Sequence, residues 1–313
     1  MKAKRLLLPL LCLSLFATGL GIVGYNFSKE KKEKDEEPAT DDFFMSRLEP
    51  PSPLFKERLQ KVEREIAIVK NSHEAQANLH FWAGRYEFSH DHGFAELSLA
   101  PREYTLRESP AHFEVYYRHG QVWWDKDTNT ITLDGTHHYP LEYKPVRWGE
   151  RLYLIPTPRI IEFCYDINQG SEPRNDRGWG RYLLRQGDWE KEAKGQPEVP
   201  EEFKKYLLDE PVDAKIVSIP RTEYDSKWGE NISVVVLDKG AKDGLQPGMR
   251  LSAEEREGSG YHTVTLTTVE ETQSEGKLYF TGRPGQQFST YPKWMREINE
   301  WTRRKKDRAQ DTK

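Results

Sequence analysis

The sequence predicts a mainly β protein of the β-rich α+β kind, and three observations carry that expectation. Two separate runs of short segments alternate apolar and polar residues with period two, one over residues 79–156 and one from Pro211 onward. Turn chemistry stands between those segments, at His92-Gly93, His119-Gly120, Asp127-Thr128-Asn129 and Asp134-Gly135. Helical spacing is confined to a few stretches. The expected order is a signal anchor or signal peptide over 1–27, a charged linker over 28–52 and an amphipathic helix over 53–76. An antiparallel β domain with a following helix fills 77–190, closed as a barrel or stacked as a sandwich. A linker over 191–210 leads to a small β-barrel over 211–290, then a C-terminal helix and basic tail over 291–313.

The N-terminal expectation rests on charge. Lys2, Lys4 and Arg5 form a short basic region, and Leu6 to Phe27 carries no charge, which is long enough to span a bilayer. Ala17-Thr18-Gly19 offers small residues at signal-peptidase spacing, but the apolar run continues through Ile22, Val23 and Tyr25, which favours an uncleaved anchor. Cys12 follows Leu10 and Leu11, where a lipoprotein signal needs a small residue, so it serves as apolar filler. Lys29, Lys31, Lys32 and Lys34 compete in the positive-inside count, yet a very short N-terminus stays inside while the large body is exported. The expected location is the bacterial inner membrane with the body in the periplasm, or the periplasm or exterior after cleavage. Removing the three leading positive charges takes the formal charge from −4 to −7, which argues against nucleic acid as a partner.

Lys29 to Pro38, KEKKEKDEEP, has nothing to bury and reads as a solvated spacer. Ser52 then suits an N-cap and Pro53 a first helical position. Phe55, Leu59, Val62, Ile66 and Val69 recur at spacings of four and three. Such a stripe serves either a short coiled coil, making the chain a homodimer, or docking on its own domain; two heptads fall short of a secure coiled coil and favour docking.

The β domain that follows is read from LHFWAGRYEF, FAELSL, HFEVYY, QVWW, TITL and RLYLIP. TPRIIEFCYDINQG reads as one helix, capped by Thr157, started by Pro158 and stopped by Gly170, with Cys164 on its apolar face. Trp294, Ile298 and Trp301 give the terminal helix a docking stripe, and Arg303 to Arg308 a solvated basic end.

VVVLDKGAKDGLQPGMRL, Val234 to Leu251, is the most pointed stretch. A phosphate-binding loop needs a Lys-Ser/Thr pair and a helix after its last glycine, and here Met249-Arg250-Leu251 lead into strand instead. GAKDGLQPGM is similar to the glycine turn of bacterial PDZ domains, although Met249 stands where their aspartate would be. The whole stretch resembles the strand, turn and strand of the β-barrel domains in MreC-type cell-shape scaffolds and in the C-terminal domain of flagellar assembly protein T. That resemblance, over about the last third of the chain, implies a structural turn. Gly240 and Gly244 would adopt conformations closed to residues with a Cβ, Asp243 would bond nearby backbone amides, and Gly248 would complete the turn. Pro145 to Arg174 resembles a recurring segment of exported bacterial proteins, which implies location and no chemistry.

Chemical candidates are few. His90 and His92 alternate and would present two metal ligands, with His137 or His138 as a third, or else they belong to a polar hairpin tip. No G-x-S-x-G elbow occurs, and the Gly258 to Gly260 stretch reads as a hairpin connection. Glu162 and Asp166 lie one helical turn apart, the spacing of a solvated face. Trp82, Tyr86, Tyr116, Trp123, Trp124 and Trp148 would line the interior of a lipocalin-like barrel, either as core or as the wall of an apolar or glycan site. The expected function is a non-enzymatic envelope scaffold or adaptor that requires no cofactor and has other envelope proteins as partners; the alternative is the ligand-binding barrel.

Overall fold

The computed structural model describes residues 50–72, 79–90, 93–109, 115–134, 142–171, 173, 182–226, 230–254, 262–279 and 282–300. All of them belong to one compact unit, Arg47–Lys313. The expected anchor and most of the charged linker lie outside the described residues. Among the described residues no helix is long and apolar enough to cross a membrane.

Helix α1 (Pro53–Asn71) starts as its sequence dictates: Pro53 occupies the first turn and the Ser52 hydroxyl accepts from the Phe55 N–H at 3.1 Å. It ends at Asn71, short of the 76 expected. Phe55, Val62 and Ile66 are its buried residues, and each contributes about 1.5–3 kcal/mol by leaving water. Phe55 meets Tyr117 edge-on at 5.0 Å, and Val62 and Ile66 pack with Ala100, so the helix lies across a sheet of its own chain. Arg58 and Lys61 pair with Glu103; the Lys61 hydrogen bond holds the Glu103 carboxyl below its usual range. Such half-exposed pairs fix the helix's orientation more than they add stability.

The first β domain is a closed antiparallel barrel of eight strands in simple sequence order, which decides between barrel and sandwich. They are β1 (Gly84–His90), β2 (Gly93–Leu99), β3 (Glu103–Ser109), β4 (Tyr116–Asp125), β5 (Thr130–Leu133), β6 (Glu142–Trp148), β7 (Arg151–Pro156) and β8 (Leu183–Arg185). Residues directly opposite share a face. Tyr86 opposite Leu97, Leu97 opposite Leu106 and Leu99 opposite Tyr104 therefore build one interior core, joined by Val122, Ile131, Leu133, Leu152 and Leu154. β8 closes the ring with two register pairs to β1, Tyr86 with Arg185 and Glu87 with Leu184.

Several local expectations change. His119-Gly120 is no turn, because β4 runs through it; a Cβ on Gly120 would stand 1.8 Å from Asp134 Oδ1 and 2.9 Å from the Tyr104 ring, so the glycine makes room for its neighbours. β3 and β6 are strands that no expectation included. The Asp127-Thr128-Asn129 turn is present, with Asp125 Oδ1 accepting from the Asp127 N–H at 2.9 Å and Asn129 at φ 49°. Thr157 is not a helix cap: residues Thr157–Arg159 form a 3-10 turn and its hydroxyl donates to the Glu142 carbonyl, after which α2 (Ile160–Asn168) begins.

α2 covers the outer face of β6, β7 and β8. Ile160, Phe163 and Cys164 join Val146, Trp148, Tyr153, Ile155 and Leu184 in a second core. The expected linker over 191–210 is folded onto this face as well. The Trp148 indole N–H donates to the Gly195 carbonyl at 2.7 Å, Arg151 Nε donates to the Lys191 carbonyl at 2.6 Å, and Val199 is buried. One turn of helix, α3 (Glu201–Lys204), leads toward the second barrel.

That second barrel has six strands: β9 (Asp213–Asp225), β10 (Glu230–Leu237), β11 (Arg250–Ala253), β12 (Thr263–Val269), β13 (Ser274–Tyr279) and β14 (Gln287–Ser289). Their order around the closed ring is β10-β13-β12-β11-β14-β9, antiparallel throughout. Its core gathers Ile216, Val235, Leu237, Leu251, Val264, Leu266, Leu278 and Phe288. Helical residues 293–300 dock through the buried Met295 and the Trp294 indole, which donates to the Ala253 carbonyl at 2.9 Å; Trp301 lies outside the described residues.

Candidate functional site

The six aromatics proposed as a barrel lining do not act as one group. Trp82 and Tyr86 are fully buried in the interior core, and the half-buried Trp124 packs on Trp82 at 5.7 Å. The Tyr86 hydroxyl donates to the Trp82 carbonyl, and Arg185 donates to the Phe81 and Ala83 carbonyls, so residues 81–83 plug one end of the barrel. Tyr116 shares the interior face through its pairing with Glu108, but is 39% exposed at the opposite end. Arg118, next along that face, stands 3.0 Å from Glu108 and stacks over the Tyr116 ring. Trp123 is 51% exposed on the outer wall, and Trp148 is buried in the outer core under α2. The interior therefore holds a packed aromatic centre with one ion pair toward the Tyr116 end.

Grooves run along α1 instead. One of about 240 Å³ is lined by Glu63, Ile66, Lys70, Arg85, Arg185 and Gln186, and an adjoining one of about 230 Å³ by Phe55, Leu59, Glu63, Arg107 and others. Glu63 and Arg85, common to both, pair at 2.6 Å.

The turn after β10 is built as the sequence suggested, with one correction. Asp243 Oδ2 accepts from the Gly240 N–H at 3.0 Å, while Lys239 bonds its other oxygen at 3.0 Å; those bonds outweigh partial burial and hold the carboxyl below its usual range. Gly244 and Gly248 both have φ 87°, which favours glycine. Gly240 does not: at φ −145° its backbone is extended, and what excludes a side chain there is space.

One polar cluster was not anticipated. It is the seam between the barrels, laid along α2. Tyr165 and Gln169 both reach the Ser252 hydroxyl of β11, at 2.7 and 2.8 Å. Arg250 pairs with Glu162 at 3.2 Å, and Glu162 also holds Arg159. Asn168 donates to the Tyr206 carbonyl and accepts from the Leu208 N–H, both at 2.9 Å. Asp166 sits at the edge of this seam, accepting from the Tyr182 hydroxyl at 3.1 Å. The sequence showed Glu162 and Asp166 only as an ordinary helical pair, since the groups that meet them, Arg250 of β11 and Tyr182 just before β8, are distant in the chain.

Burial pushes the Asp166 carboxyl up from 3.8 to about 7, and the neighbouring Glu162 adds to the rise. An acid whose folded pKa is raised keeps its proton in the folded state after the unfolded chain has released it. Stability therefore falls as pH rises from about 4 to about 7 and levels off above, by an expected ~2 kcal/mol after allowance for residual solvent contact. Urea midpoints at about pH 5 and about pH 8 measure this, and Asp166→Asn is expected to flatten the difference.

Cys164, the one cysteine in the described residues, is fully buried, and burial pushes its thiol up to about 12. Iodoacetamide is expected to leave it unmodified in the native protein and to alkylate it in urea, as intact mass would report. Among the described residues no group of three or more His, Cys, Asp and Glu side chains is placed to hold a metal ion. β1 and β2 pair up to His90 opposite Gly93, at the end of their hairpin; the side chains of His90, His92, His137 and His138 lie outside the described residues.

Compared with protein families, curated proteins and solved structures, the chain matches none.

Proposed function

We propose that this chain is a non-enzymatic scaffold or adaptor of the bacterial envelope, displayed outside the inner membrane by its N-terminal segment and working through contacts with other envelope proteins. The observation that carries the reading is the α2 seam. Hydrogen bonds from Tyr165, Gln169 and Asn168 and the Glu162–Arg250 pair join two barrels with packed interiors into one unit, a construction suited to holding surfaces at fixed spacing. The charge-free run Leu6 to Phe27 supports the location, and the turn at Gly240 to Gly248 supports kinship in design with MreC-type barrels. The high pKa and burial of Cys164 remove the one cysteine in the described residues as a nucleophile.

A photo-crosslinking amino acid at the exposed Trp123 tests this in intact cells. Adducts with one or a few envelope proteins are expected; irradiation that yields no protein adduct at Trp123 or at a second exposed site, Trp189, would count against a scaffold.

A second reading, a lipocalin-like module for an apolar or glycan ligand, draws on the interior-facing Tyr116 and the Glu108–Arg118 pair at one end of the first barrel. It predicts a heat of binding on titration with envelope lipids or glycans that Tyr116→Ala abolishes. A flat response to both classes would dismiss it.

A further inference from the structure

β9 is longer than its barrel requires. β14 pairs with it only at Asp213, Ala214 and Lys215, and on that side the last bonds join Ile216 to Gly285 and Gln286. β10 stays paired with it out to Asp225, whereas β13 accompanies β10 only as far as Ser233. The two strands thus run on as a hairpin arm, and among the described residues no strand covers the β9 edge from Val217 to Tyr224. Val217, Ser218 and residues 220–224 are all exposed, Tyr224 by 68% and Val217 by 47%.

An uncovered edge presents main-chain donors and acceptors to any strand that approaches, and side-chain pairing decides which strand fits. Here the edge fits itself. Arg221 and Glu223 project from one face, with Arg221 Nε 2.6 Å from Glu223 Oε1. An antiparallel copy of the edge, related by a two-fold axis at Thr222, places each Arg221 opposite Glu223 of the second copy. Each exposed Tyr224 then falls opposite Pro220 of the second copy. Sliding the copies to centre on Arg221 or on Glu223 puts like charges opposite each other, so the charge pattern selects one register. Pro220 lacks an N–H and is compatible with an edge position, and it limits the ladder to the outer part of the arm.

We propose that the outer part of the β9 edge, Pro220 to Tyr224, is a self-association surface, on which a second copy of this chain adds its own β9 antiparallel about Thr222. Two hairpin arms become one four-stranded sheet, an isologous contact that closes at two copies. The contact is small, so association is expected to be weak and dependent on concentration. The inference does not depend on the function proposed above.

The test is the mass of the full chain in mild detergent, measured by sedimentation over a concentration series, for wild type, Arg221→Glu, Glu223→Arg and the double variant. Wild type is expected to move from one copy to two as concentration rises. Each single reversal sets like charges opposite each other at both pairs and is expected to weaken association at least about tenfold, while the double variant restores it. None of these side chains belongs to a core, and near-UV circular dichroism verifies that every variant is folded. A wild type that stays at one copy throughout overturns the proposal. So does a wild-type dimer that both single reversals leave intact, which would move the contact to another surface such as the exposed side of α1.

Discussion

Replacing Gly240 by alanine is expected to destabilise the C-terminal barrel by about 3 kcal/mol, at the upper end for overpacking. Its Cβ would stand 2.3 Å from the Glu270 carbonyl oxygen, 2.7 Å from the Gln273 nitrogen and 2.7 Å from the Glu271 carbonyl oxygen. All three are backbone atoms, and no rotamer change relieves the clash. The Ala241 and Lys242 N–H groups bond the same Glu270 and Glu271 carbonyls at 2.8 and 3.0 Å, so any backbone retreat also breaks the turn's own hydrogen bonds. Gly244→Ala is expected to cost about 1–2 kcal/mol, chiefly for its φ of 87°, since its nearest neighbour is the movable end of Leu208 at 3.0 Å. Gly285→Ala, with φ 81° and nothing within 4 Å, isolates the conformational part at about 1 kcal/mol. Denaturant unfolding of the three variants should rank them in that order. If Gly244→Ala proved the most damaging, left-handed backbone rather than close approach would govern the turn.

Phe163→Ala is expected to cost about 4 kcal/mol, the usual penalty for deleting a fully buried aromatic ring. Phe163 meets Tyr182, Tyr153 and Trp148 edge-on at 5.3, 5.5 and 6.5 Å, and such pairs contribute beyond their buried area. The ring fixes the inner side of α2, whose other side carries the seam to the second barrel through Tyr165, Gln169 and Glu162. Its loss should therefore loosen the coupling as well as the core. Wild type is expected to unfold in one transition, and Phe163→Ala in two, with the first barrel melting earlier. An unchanged midpoint and a single transition would show that α2 is held from elsewhere.

What the sequence disclosed follows a simple division. Features decided within a few residues were legible: Ser52 and Pro53 at the start of α1, the Asp125 turn between β4 and β5, and Asp243 folding back on the Gly240 N–H. Features decided by distant neighbours were not. β3, EYTLRES, escaped because Glu108 faces the interior with a charge, paired there with Arg118, so the apolar alternation stops after Leu106. β6, EYKPVRW, hides behind Lys144, which is buried with its amine bonded to Thr130 Oγ1 at 2.8 Å. Gly120 looks like a turn residue until Tyr104 and Asp134 are brought beside it. The candidate sites divide the same way. Trp82 and Tyr86 were placed inside by pattern alone, whereas nothing near Asp166 in the chain foretells Tyr182 over its carboxylate or Arg250 across the seam.

The ring of the first barrel is completed by its shortest strand, and that strand comes late. Tyr86 meets Arg185, its neighbour in the closed ring, across 99 residues of chain. β1 to β7 can assemble by successive local hairpins, each of which closes a short loop at small entropic cost. Until Leu183–Arg185 arrives, the edges of β1 and β7 stay open to other strands. A ribosome must therefore synthesise well past residue 185 before the first domain can finish folding, and a pairing so far apart in sequence makes ring closure the slow step. The same three residues that seal the barrel set the interval during which the nascent chain is most exposed to aggregation.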